Sequence, residues 1–99
     1  MYDFKHFDQV LEAVETLSDE AVSAGELEEL AYYAGAMARE WKIPVDKLQL
    51  QLLLSCRHAG IEAGDAWFDV KLGLTDGLQA TETFCRLRAG HPMKQATIS

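Results

Sequence analysis

The sequence predicts an all-α domain of four or five short helices packed as stacked helical hairpins. Three observations carry this. Apolar residues recur at spacings of three and four through most of the chain, the period of a helix with a buried face. Glycine or proline falls at the edges of these runs, where helices stop and start. Two of the runs also carry apolar rows on two sides, and one neighbour cannot cover both. Such a helix either sits inside a stack or offers one row to a partner.

The first helix is expected over residues 3–17. Phe4, Phe7, Val10, Leu11, Val14 and Leu17 form a broad apolar stripe, while Lys5, Asp8, Gln9, Glu12, Glu15 and Asp19 fall on the other side. Ser23-Ala24-Gly25-Glu26 matches a capping box, so a second helix should follow and run to about residue 41. Its seam is Leu27, Leu30, Ala34, Met37 and Trp41, with Ala31, Gly35 and Ala38 small enough to admit a close neighbour. Tyr32 lies off that seam.

Pro44 suits the start of a third helix, over residues 45–60. Val45, Leu48, Leu52, Cys56 and Ala59 make one row, assigned to the core; Leu50, Leu53 and Leu54 make a second. The alternation from Leu48 to Leu52 is also strand-like, but the length, the proline start and the Gly60 stop favour a helix. Gly64-Asp65 reads as a turn with Asp65 as N-cap, opening a short helix that ends near Gly73. Thr75-Asp76 then starts the last helix, which stops at Gly90 before Pro92. This helix is also two-sided, with Ala80, Phe84 and Leu87 in one row and Leu78, Cys85 and Ala89 in the other. Residues 1–90 form a single helical domain in this reading, and 91–99 a mobile polar tail.

The 99 residues, 48% hydrophobic, suit one small domain with a thin core. Net charge is −7, and residues 1–30 hold nine acids against one base, Lys5. Direct nucleic-acid binding is disfavoured, since phosphate contacts need a basic surface. The acidic end solubilises the protein or steers a basic partner. No apolar run approaches the roughly 18 residues of a membrane span, and the N-terminus lacks the form of a secretory signal. Cys56 and Cys85 lie within apolar helical patterns, as free thiols of a reducing compartment would. A cytoplasmic location is expected.

Catalytic patterns are missing from the sequence. His6, His58 and His91 have no Cys, Asp or Glu at ligand spacing, and the two cysteines form no C-x-x-C pair. A phosphate loop and a nucleophile elbow are both absent. Cys56 and His58, two residues apart, point in different directions on a helix. Neither an enzyme, a metal site nor a cofactor is expected.

Ala80, Phe84 and Pro92 reproduce the A-x3-F-x7-P spacing of the second helix of a tetratricopeptide repeat, which makes the fold TPR-like there. Gly64 and Lys71 stand where the first half of that repeat has its tryptophan and tyrosine. Trp67, Val70-Lys71-Leu72-Gly73-Leu74, Leu78, Glu82 and Leu87 resemble the C-terminal half of the small tetratricopeptide-like chaperones that hold needle subunits of bacterial type III secretion systems. Residues 48–63 are similar too, in their leucines, Ser55-Cys56 and the glycine after the helix. The resemblance implies a non-enzymatic chaperone that covers an amphipathic helix of a secreted subunit, beside a small co-chaperone. The two-sided helices fit such a task, and Tyr32, Leu50, Leu54, Trp67 and Phe68 are the expected partner-binding residues. Two other readings stay open. One is a small acidic inhibitor, from a phage or mobile element, that occupies a basic site on a host protein. The other is a homodimer whose spare apolar rows close on a second copy.

Overall fold

The computed structural model describes residues 4–88, with side chains as far as Ala80. Five helices follow one another: α1 (Phe7–Glu15), α2 (Asp19–Ser23), α3 (Glu26–Trp41), α4 (Val45–Ala59) and α5 (Ala63–Arg88). The fold is all-helical, with no strand among the described residues. Residues 48–54, the strand-like stretch, are helical within α4.

α1 is shorter than the stripe of residues 3–17 suggests. Gln9 turns its side-chain oxygen back to accept from the backbone N–H groups of Lys5 and His6, at 2.6 and 3.1 Å, which fixes the start of the helix. Phe4, outside the helix, is held by Tyr33, whose hydroxyl donates to the Phe4 carbonyl at 2.9 Å. Leu17 packs on the core from beyond the C-terminal end.

The capping box at Ser23 does not form. Ser23 ends α2, a short helix that the expected elements did not include, capped by the Ser18 hydroxyl accepting from Ala21 N–H at 3.1 Å. Gly25, at φ +89°, makes the sharp left-handed turn from α2 into α3. Only a residue without Cβ takes that conformation cheaply. The real serine cap is thus Ser18, which is also followed by acids, Asp19 and Glu20, placed well for the helix dipole.

The boundaries around α4 follow the sequence closely. Pro44 is its N-cap, and its carbonyl accepts from Leu48 N–H at 3.0 Å. Gly60, at φ +79°, ends it, with Ile61 N–H donating to the Cys56 carbonyl at 3.0 Å. Of the row assigned to the core, Leu48, Leu52 and Cys56 are buried, but Val45, the first residue of the helix, is exposed.

The largest departure is α5. Instead of a short helix ending near Gly73 and a second one starting at Thr75, one helix runs unbroken from Ala63 to Arg88. Asp65 is not an N-cap but lies in the first turn, and Gly64 is helical. Gly73 stops nothing, because its missing side chain is what lets α3 approach. A Cβ at Gly73 would run into the Glu28 carbonyl and lie 2.7 Å from the Ala31 Cβ; one at Gly77 would run into the Tyr32 carbonyl. Gly35 answers from α3, where a Cβ would meet the Leu74 carbonyl at 2.7 Å. As α5 advances from Gly73 to Gly77, its neighbours advance from Glu28–Tyr32 to Tyr32–Ala36, so α3 and α5 run parallel. The spacing at Ala80 therefore falls inside one long helix and not in the second arm of a separate hairpin. Phe84, Leu87, Cys85 and Ala89 of the expected rows, Gly90, Pro92 and the tail at 91–99 lie outside the described residues or side chains.

The core lies where α1, α3, α4 and α5 meet. Val10 and Val14, Leu27 and Leu30, Leu48 and Leu52, and Val70 are all closed to solvent. Phe7, Tyr33 and Trp41 close one edge, with Trp41 6.0 Å from each of the other two rings.

Candidate functional site

α4 is covered on its inner side by α1, α3 and α5. Leu48 and Leu52 point into that side and are fully buried. Leu50 and Leu54 stand one turn apart on the opposite side, 57% and 41% exposed. The next helix repeats the arrangement. Ala66, Val70, Gly73, Leu74 and Gly77 face inward, while Phe68 and Leu72, again one turn apart, are 61% and 38% exposed. The three-residue turn between Ala59 and Ala63 makes α4 and α5 antiparallel neighbours. Asp69, beside Phe68, faces Cys56 of α4 closely enough for its charge to act on the thiol. Among the described residues, α4 and α5 thus carry four large apolar side chains that stay substantially exposed on their outer sides.

The five expected partner-binding residues are all exposed, but they do not form one surface. Leu50, Leu54 and Phe68 belong to the outer face of the α4–α5 hairpin. Trp67 is turned about 100° from Phe68 around α5, and Lys71 lies over its ring at 5.1 Å. Tyr32 is on α3, at the crossing with α5, with its backbone against Gly73 and Gly77. Leu72 belongs to the face and was not among the expected residues. Its signal is present in the sequence: it stands four residues after Phe68, on the same side of the helix expected to end near Gly73.

Three other features concern the surface and its titratable groups. Burial, and then the charge of Asp69, push the Cys56 thiol up to about 11, so it stays protonated and unreactive at neutral pH. Asp69 is itself raised, by burial first and by Asp65 second. A cleft of about 490 Å³ opens at the N-terminal end of α1, between Trp41, Leu11 and Ile43 on one side and His6, Asp8 and Lys47 on the rim. Among the described residues no group of three or more His, Cys, Asp or Glu could hold a metal ion, and no helix is long and apolar enough to cross a membrane. Compared with known families, with curated proteins and with solved structures, the chain gives no match.

Proposed function

We propose that the protein is a non-enzymatic adaptor or chaperone that covers an amphipathic helix of a protein partner. The observation that carries this reading is the pair of exposed apolar rows on neighbouring helices, Leu50 and Leu54 on α4 and Phe68 and Leu72 on α5, each pair at helical spacing. Two antiparallel neighbouring helices, each with an exposed apolar row, offer a third helix ridges against which to pack. Burying a leucine or phenylalanine in this way is worth roughly 1.5–3 kcal/mol each. The likeness of residues 67–87 to chaperones of type III secretion needle subunits makes such a subunit, with or without a small co-chaperone, the partner class to try first. Cytoplasmic action belongs to the same reading.

The test is titration of the protein with a synthetic amphipathic helix bearing one leucine face, followed by Trp67 fluorescence and calorimetry. We expect saturable binding that changes little between low and high salt. Phe68→Gln with Leu72→Gln should weaken it by roughly ten- to a hundredfold. Binding that survives both substitutions would overturn the assignment of this face. A second reading, an acidic inhibitor of a basic site, is favoured by the charge of −8 on residues 1–30, much of it exposed on α2 and the first turn of α3. That reading requires binding that collapses with salt.

A further inference from the structure

We propose that in the free protein the outer row of α4 is closed by the same row of a second copy, in an antiparallel homodimer. The row is self-complementary. Asp46, Leu50, Leu54 and Arg57 follow one another at spacings of four, four and three, so they share one side of the helix, with an acid at its start and a base at its end. Asp46, Leu50, Leu54 and Arg57 are all exposed.

A two-fold axis through the row sets Leu50 against Leu54 of the second copy, and Leu54 against its Leu50. Asp46 then comes level with His58 of the second copy, one residue rise (about 1.5 Å) from its Arg57. Asp46 and Arg57 lie on the same flank of the row, and this symmetry brings like flanks together, so the guanidinium reaches the carboxylate. Symmetry repeats the contact, and four leucines are bracketed by two Asp–Arg pairs. Lys47 and His58 line the other flank and add no complementary pair. A parallel pairing brings opposite flanks together and sets Asp46 beside Lys47 of the second copy and Arg57 beside its His58, so only the antiparallel pairing joins Asp46 to Arg57. If the hairpin face is also where a partner helix docks, as in the adaptor reading, that helix displaces the second copy. The dimer itself does not depend on that reading.

The experiment is sedimentation equilibrium of the full chain. Wild type is expected to associate to a dimer as concentration rises, and Leu50→Gln/Leu54→Gln to stay monomeric with an unchanged helical circular-dichroism spectrum. Asp46→Lys and Arg57→Asp, each alone, should weaken self-association by roughly tenfold, because both symmetric pairs become repulsive. An equimolar mixture of these two variants should recover it, since the mixed dimer regains both attractive pairs. Recovery on mixing cannot arise from misfolded chains. A wild type that remains monomeric at millimolar concentration overturns the proposal, as does a dimer indifferent to Leu50→Gln/Leu54→Gln or a mixture no tighter than its components. A monomer that still binds the synthetic helix would refute the dimer and leave the adaptor reading standing. A dimer that binds no helix would do the reverse.

Discussion

At the crossing of α3 and α5 the facing residues are small: Ala31 and Gly35 on one helix, Gly73 and Gly77 on the other, all buried. On the outer face of α4 and α5 the residues are large and apolar, Leu50, Leu54, Phe68 and Leu72, and they stand in solvent. The usual expectation, large apolar residues inside and glycine at the surface, is inverted within one helix, since α5 supplies both surfaces. The crossing is closed because backbones in near contact leave no room for side chains or water. The outer face is open because α4 and α5 have already spent their inner sides on α1 and α3. A face of the first kind is finished by the chain itself. The second kind is left open by the described residues, and each substitution below pulls on one side of this contrast.

The largest effect is expected inside α4, where its two rows can be compared directly. Leu52 is fully buried between α1, α3 and α5. Leu52→Ala should lower stability by about 2–5 kcal/mol, read from urea or thermal unfolding, because the cavity it leaves is bounded by helices that cannot close on it. A cost below about 1 kcal/mol would mean that the inner row is no more closed than the outer one.

How much of this was legible in the sequence can be judged residue by residue. The period of three and four gave the all-helical class and the stripes of α1 and α3. Pro44 and Gly60 bounded α4 correctly, because fixed φ and positive φ are local properties of those residues. Gly73 was misread for the opposite reason. Inside a helical run, a glycine can end the helix or admit a neighbour, and the choice rests with Glu28–Tyr32, more than forty residues away in the chain. The cap at Ser23 failed similarly: the S-x-x-E pattern is present, but Gly25 between its members takes a left-handed turn that breaks it. For the candidate site, periodicity separated Leu50 and Leu54 from Leu48 and Leu52. It could not say that Trp67 and Tyr32 face elsewhere, since that depends on which side of α5 meets α3.

An intermediate effect is expected at the crossing. In an isolated helix Gly73→Ala would be stabilising, by roughly 1 kcal/mol. Here the added Cβ meets the Glu28 carbonyl, and Ala31 Cβ at 2.7 Å, and neither is a flexible side-chain end that could swing away. Separating the helices to make room should outweigh the propensity gain, for a net loss of about 1–3 kcal/mol. Gly64→Ala is the internal control, for it lies in the same helix with nothing near its Cβ position, and it should be neutral or stabilising. Equal effects of the two substitutions in chemical denaturation would show that the α3–α5 approach is not tight.

The smallest effect on the isolated fold belongs to the outer row. Leu50→Gln and Leu54→Gln keep helix propensity close to that of leucine and remove little buried surface, so each should change monomer stability by less than about 0.5 kcal/mol. Dilute solution is the condition that matters, because there no second copy covers the row. As concentration rises the two proteins should part: the melting temperature of wild type climbs, since association is linked to folding, while that of the double variant stays fixed. The two results together locate the energy of these leucines between chains and not within one. If the double variant instead unfolds as badly as Leu52→Ala at every concentration, both rows of α4 serve the core, and the contrast between a finished face and an unfinished one is lost.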